Sequence, residues 1–417
     1  MLTTRMQSVL KRPFELRSRC RGTLQQPPVN CLRTKARSFR HPHYFRVISH
    51  AARHDAIVGD LAANASSGVF MGSSSMEETQ RRAFVMQDTC SFLASDLKLL
   101  FEKGEITESR YASNIAFEDP ISKYDSRDGY VFNIRLLRTL FDIAFDLHSI
   151  AVTGPDCITA RWTMHMRPGL LPWRPNLTIT GRTVYRVDPR SGVILSHTDY
   201  WDALKRNTFL SLEGVVHVLR MVTQLQLTPA VETPKYTVLR KFKEYEIRRY
   251  EPYLVAEVPM THGSGPASGS GFSELAGYLF GGNAVGLELQ MTTPVLTRVE
   301  AAQRNESVAM QFVMERRYPD VSSLPAPSNP RIATRRQEGG FAAALTFPGW
   351  PLDFEVVRAE RQLRDLLLRD GLLPAPAPAP GYLLARYNDP GTPPALRRNE
   401  VLIQLEGFKW PPEEGQE

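Results

Sequence analysis

Apolar residues in this chain first fall into register at Met86, Cys90, Leu93, Leu97 and Leu100, whose spacings of four, three, four and three share one helical face. Ser75 with Glu78 supplies a capping box before that helix, and Gly104 ends it. A second stripe, Tyr130, Ile134, Leu137, Phe141 and Phe145, predicts another helix. The segments "ITARWTMHM", "LTITGRTVYRV" and "GVILSHTDYWD" then mix apolar and polar residues as half-buried strands do. Helices followed by a curled sheet predict a cone-shaped α+β domain over residues 76–207, with 55–75 as a linker. Phe209, Leu212, Val215, Val216, Leu219 and Val222 next fall on one side of a helix within 208–233, where Glu213 and Arg220 are the only full charges between Phe209 and Pro229. This amphipathic segment reads either as an interdomain helix docked on the cone or as a lipid-surface anchor.

From residue 234 to about 410 the pattern repeats itself. The first half carries "YTVLRKFKEYEIRRY" and "YLVAEVPM", a short helix with Phe272, Leu275, Ala276 and Leu279 at i, i+3, i+4 and i+7, then "PVLTRVE" and "VAMQFVM". The second carries "RIATRRQ" and "GFAAALTF", a helix with Val356, Ala359, Leu363 and Leu366, then "YLLARY" and "EVLIQLE". Each unit leaves an apolar face that it cannot bury alone. Closing the two into one pseudo-twofold distorted β-barrel with two flanking helices buries both faces. The expected fold class is α+β throughout.

The formal charge of +7 changes meaning once it is located. Residues 1–54 hold twelve Lys or Arg against one acid, Glu15; removing these from the totals of 51 and 44 leaves 39 basic and 43 acidic residues. An Arg-rich, acid-poor front without a long apolar run predicts an organelle transit peptide, with a basic arm for RNA or lipid as the alternative. The body is mildly acidic, so no nucleic-acid partner and no transmembrane segment are expected. Cys20 and Cys31 lie in that front, and the remaining pair, Cys90 and Cys157, form neither a disulfide framework nor a CxxC site.

Residues from about Arg82 to Lys205, with "FEDP", "PWRPNLTITG" and "HTDYWD", resemble the nuclear-transport-factor-2-like (SnoaL-type) cone, in a version of unknown function found in plants and algae. Some cone families place an Asp and a His in the pocket for proton transfer, which makes Asp119, His165, His197 and Asp199 candidates. Asp119 before Pro120 also suits a turn, and His165 between two methionines also suits simple packing. In the C-terminal segment "YEIRRYEPYLVAEV", "FSELAGYLFGGN", "MTTPV", "FPG" and "YNDPGTPPALRRNEVLI" occur in an order similar to the SOUL family of heme-binding proteins. A cone before a SOUL domain resembles plastid members of plants and algae, so the resemblance implies a chloroplast location, with the mitochondrion as the alternative.

The resemblance implies heme or another porphyrin as bound ligand, with the first barrel helix as a wall of its pocket. Phe272, Leu275, Tyr278 and Leu279 are the expected macrocycle contacts, Met291 lies across from them, and Arg298, Arg248 or Arg249 would pair the propionates, with "RRNE" at 397–400 an equal alternative unless its charges tie strands together. The alternative is that these side chains simply fill the barrel. Between 236 and 417 there is no Cys and the only His is His262, so a strong axial ligand to iron is His262 or absent, with Met or Tyr as weaker substitutes. The expected function is reversible tetrapyrrole binding in the plastid for storage, trafficking or sequestration. Two alternatives remain, an enzyme acting on an apolar substrate in the cone and a scaffold on thylakoid or plastoglobule lipid.

Overall fold

The structure, a computed structural model, describes residues 73–410 except 172, 174, 206, 227, 261–267, 270, 302–305 and 375–380. The expected transit peptide, nearly all of the linker and His262 therefore lie outside the described residues. Helix α1 (Ser73–Lys103) buries the whole stripe from Met86 to Leu100, and Gly104 at φ 71° turns the chain out of it. Ser75 sits inside this helix rather than capping it, because the helix already runs from Ser73.

Strands β1 (Tyr111–Glu118) and β2 (Lys123–Tyr124) precede helix α2 (Arg127–Leu140), whose start is capped by Ser126 accepting from the Gly129 amide. The second stripe is only partly helical. Phe141 and Phe145 belong to β3 (Phe141–Val152), since a spacing of four serves both a helix and one face of a strand. Strands β4 (Cys157–Pro168), β5 (Leu177–Val187) and β6 (Ile194–Trp201) complete a sheet ordered β2-β1-β6-β5-β4-β3, in which β1 runs parallel to β6. The sheet curls around α1 and α2, as the α+β cone predicts.

Helix α3 (Leu212–Val222) closes the cone, and of the stripe found in the sequence only Val222 packs there. Gly214, His217 and Met221 are buried, while Leu212, Val215, Val216 and Leu219 face solvent, joined by Phe209 and Leu210. Its N-cap, Ser211, accepts from the Gly214 amide, and the small Gly214 lets the helix press against Pro120.

The C-terminal body is a nine-stranded antiparallel sheet curled into a distorted half-barrel. It comprises β7 (Tyr236–Lys241), β8 (Glu246–Tyr250), β9 (Tyr253–Pro259), helix α4 (Phe272–Leu279), β10 (Val295–Ala301), β11 (Glu306–Val313), β12 (Ala333–Gln337), β13 (Gly340–Phe347), helix α5 (Asp353–Arg369), β14 (Tyr382–Arg386) and β15 (Asn399–Leu405). The order β12-β9-β11-β10-β14-β15-β13-β8-β7 is symmetric about the β10/β14 seam once β7 is set aside. The register repeats as well: Glu257 opposite Gln311 becomes Thr346 opposite Glu400, each partner 89 positions later (257 to 346, 311 to 400). β8 pairs with β13 and β12 with β9, so each half lends its first strand to the other. Helix α4 covers one outer apolar face with Leu275, Tyr278 and Leu279, and α5 covers the other with Val356, Ala359 and Leu363. Strand β7 crosses the outside of the cone sheet, where Thr163 Oγ1 donates to Val238 O (2.6 Å) and the Lys241 amide donates to Thr180 Oγ1 (2.7 Å).

Candidate functional site

The inner face of the half-barrel is ionic. Glu400, fully buried on β15, accepts both Arg248 terminal nitrogens (2.6 and 2.7 Å), two from Arg398 (2.9 and 2.6 Å) and the Tyr387 hydroxyl (2.8 Å). Burial alone raises its affinity for a proton, but the two guanidiniums outweigh this and hold Glu400 well below the usual carboxylate range. Arg248 also donates to Glu246 (2.6 Å), which burial opposes and the Arg248 and Lys241 cations lower to a pKa of about 2. In the other half Glu257 accepts from Arg298 (3.1 and 2.8 Å), Arg335 (2.8 Å) and Gln311. A macrocycle has no place across these pairs without leaving buried charges alone. Beside them the inner face opens into a narrow aromatic cleft of about 40 Å³ lined by Tyr236, Tyr250, Tyr253, Phe341 and Tyr387 among others.

The outer surface beyond α4 is different. Gly281 (φ 95°) takes the chain out of the helix, and Gly282 passes so close that an added Cβ would lie 2.5 Å from Gly277 O. Asn283 then staples the turn, donating to Tyr278 O and Leu287 O and accepting from the Val285 and Leu287 amides. The scaffold is thus fixed by polar atoms, and its apolar side chains are left outside: Phe280, Val285, Leu287 and Met291 are all exposed, Val285 at 72%. The Gln290 amide donates to Glu315, which also pairs Arg317 (2.9 Å); neighbouring Arg316 pairs Glu232 (2.8 Å), and both arginine side chains are 53% exposed. An apolar ledge with two accessible guanidiniums beside it suits a flat ring bearing carboxylates.

A third gathering lies inside the cone. A cavity of about 120 Å³ is walled by Phe101, Leu137, Phe141, Trp162, Met164 and Ile179 among others, with Asp119, Asn133, His197 and Asp199 also in its lining. Tyr130 Oη meets His197 Nδ1 at 3.1 Å, and His197 Nε2 meets Asp199 Oδ1 at 2.9 Å. If the histidine proton sits on Nε2, Tyr130 donates to Nδ1. Asp119 Oδ1 accepts from the Ile121 and Ser122 amides (2.7 and 2.5 Å), the turn its sequence suggests. Burial first, and then the facing Asp199 carboxylate, push Asp119 up to about 6.

Residues 231–404 match the family described as SOUL heme-binding protein. The half-barrel is a SOUL domain. Residues 87–197, within the cone, match the uncharacterized conserved protein family DUF2358, and no curated protein matches the chain. Among solved structures, a nuclear-transport-factor-2-type protein with a long sheet shares 20% identity over 27% of this chain and 99% of its own, TM-score 0.23. The Δ5-3-ketosteroid isomerase of Mycobacterium sp. shares 17% over 27% and 92%, TM-score 0.23. A nuclear-transport-factor-2-like protein of unknown function from Exiguobacterium sp. 255-15 shares 16% over 30% and 99%, TM-score 0.22.

Within the SOUL domain the residues named from sequence separate into two groups. Leu275, Tyr278 and Leu279 are buried between α4 and the sheet, Tyr278 donating to Pro325 O (2.8 Å); Phe272 is half-buried with its ring 5.3 Å from Phe312. Met291 stands outside, on the ledge. Arg298 is committed to Glu257 and also pairs Glu300. Arg248 is not a rim cation: it is fully buried on Glu400, because β8 turns it inward beside β13. Arg249 is exposed. Of the cone candidates, Asp119, His197 and Asp199 meet in one cavity, whereas His165 faces away from it, bonded to Thr178 (3.0 Å). Phe280, Val285, Leu287, Arg316 and Arg317 escaped the sequence reading. For Phe280, Val285 and Leu287 a signal was present, large apolar residues around a Gly/Asn turn that no strand or helix period explains; for Arg316 and Arg317 there was none.

Proposed function

We propose that the protein binds heme or a related tetrapyrrole reversibly through its SOUL domain, as a plastid store, carrier or sequestering agent. The observation that carries this is the ledge of Phe280, Val285, Leu287 and Met291, held rigid by Asn283 and flanked by Arg316 and Arg317. These residues fit the group: apolar side chains would take the macrocycle face and the guanidiniums its propionates. When heme is bound, its iron supplies a Lewis-acidic, redox-active centre. Covering about 300 Å² of ring at about 25 cal/mol per Å² gives on the order of 7 kcal/mol before association costs, which suits an exchangeable ligand.

The test is a titration of the full chain with hemin and with protoporphyrin IX, followed by visible absorbance. Saturable binding of both, weakened at least tenfold by Phe280→Asp or Leu287→Asp, supports the ledge. Binding lost instead with Tyr253→Asp would move the site to the aromatic cleft, and no saturable binding would overturn the reading. His262→Ala in the same titration reports iron coordination by a shifted Soret band.

A second reading rests on α3. Its solvent face of Leu212, Val215, Val216 and Leu219, extended by Phe209 and Leu210, supports peripheral association with thylakoid or plastoglobule lipid. Trp173 lies alongside, its indole donating to Val222 O (2.8 Å), an amphipathic ring of the kind that favours the headgroup level.

A further inference from the structure

The cone cavity is separate from the SOUL domain's ledge and unused by the function proposed above. Its walls are aromatic and aliphatic from α1, α2, β3, β4 and β5, and α3 contributes Val218. Its polar groups are gathered rather than scattered, because β1 and β6 are parallel neighbours. Phe117 pairs with His197 across that seam, so Asp119, two residues on, meets the end of β6. Asp199 meets His197 and Thr183 through one oxygen, Oδ1. Asp119 takes its two backbone donors on one oxygen, Oδ1, and among the described residues no donor is found on Oδ2. Asn133, buried on α2, lines the same cavity.

We propose that this cavity is a second ligand site, for an uncharged, largely aliphatic or alicyclic molecule that ends in one hydroxyl, with Asp119 receiving the hydroxyl proton in a hydrogen bond. The apolar length of the ligand would replace water along Leu137, Trp162, Met164 and Ile179. The Asp119 carboxylate, in an apolar-walled space, prefers a neutral donor to an anion, which Asp199 would repel. The cavity is close in volume to an engineered apolar cavity of about 150 Å³ that binds benzene, so it suits a small molecule.

Protonation of Asp119 makes the site selective with pH. The groups facing Asp119 are Asp199 and His197 on β6 and the Tyr130 hydroxyl on α2. Helix α3 meets the turn through Gly214, with Glu213 accepting from the Lys205 amide. Above about pH 6 the carboxylate accepts from a hydroxyl; below it the carboxylic acid donates instead, and a ketone of the same length becomes the better ligand.

Octan-1-ol and octan-2-one are the probes, titrated into the full chain at pH 5 and pH 8. Binding is read by calorimetry and by the emission of Trp162 and Trp201, both of which line the cavity. The expected result is that octan-1-ol binds about tenfold tighter at pH 8 than at pH 5 and that octan-2-one shows the opposite trend. Asp119→Asn should retain binding but erase both trends, and Leu137→Trp, which fills the cavity, should weaken both ligands. The proposal is overturned if neither probe gives saturable binding, if both follow the same pH trend, or if Asp119→Asn leaves the trends intact. Hemin binding by the same samples is a separate reading, so loss of one does not bear on the other.

Discussion

Glu400 offers a sharp test of how the SOUL domain holds together. Its carboxylate is fully buried and receives four guanidinium nitrogens within 2.9 Å together with the Tyr387 hydroxyl. Glu400→Gln keeps the shape but removes the negative charge, leaving Arg248 with Glu246 and Arg398 without a paired carboxylate, and turning an amide NH₂ toward one donor. Breaking a buried pair from one side costs about 3–5 kcal/mol. Replacing both partners of the other pair with apolar residues of similar size, Arg398→Met with Glu400→Leu, leaves Arg248 paired with Glu246 and should cost no more than about 2 kcal/mol. Amide hydrogen exchange in β8 and β15 reads this opening free energy apart from the cone. A Glu400→Gln cost below about 1 kcal/mol, or a double variant as weak as the sum of its singles, would refute the reasoning. The network also sets an acid limit. Glu400 and Glu246 have folded pKa values depressed below the ordinary 4.5, so their contribution is complete above pH 4.5 and is lost as pH falls toward about 2.

Further outcomes follow from the same reasoning. Asp119→Asn should stabilise the cone at pH 7 by up to about 3 kcal/mol, since a pKa raised from 3.8 to about 6 means that folding disfavours the charged form; the gain should fade below pH 4, and thermal melts at both pH values check it. Leu275→Asp should unfold the α4 half of the barrel at a cost above 3 kcal/mol, whereas Phe280→Asp should leave the melting temperature within about 2 °C while weakening hemin binding. On α3, Leu219→Glu should reduce co-sedimentation with phosphatidylglycerol vesicles about tenfold or more without changing the circular dichroism spectrum; equal sedimentation would remove the lipid reading.

The sequence disclosed elements more readily than orientation. The α1 stripe was legible because five apolar positions at helical spacing admit one solution, and all five are buried. The two-unit repeat was legible because strand, strand, helix, strand, strand recurs with its polarity intact. On α3 the stripe was found and its direction left open: Gly214 brings the helix close to Pro120, which turns His217 and Met221 inward and leaves Leu212, Val215, Val216 and Leu219 outside. The convergence of Asp119 with His197 depends on a parallel pairing of strands that are distant along the chain, and no local spacing encodes it. Arg248 read as a rim cation because a guanidinium usually is one; only the partner strand that carries Glu400 makes its burial tolerable.

The exchange of first strands between the halves has a consequence for how such a domain can be divided. A fragment ending after β11 would contain β8 but not the β13 edge on which β8 lies, and its β9 would present an unpaired edge where β12 belongs. Two copies of that fragment could satisfy each other by donating β8 to the vacant β9 edge, reproducing the β10/β14 seam as a true dyad. The SOUL domain is thus built like a strand-swapped homodimer whose two subunits have been joined into one chain.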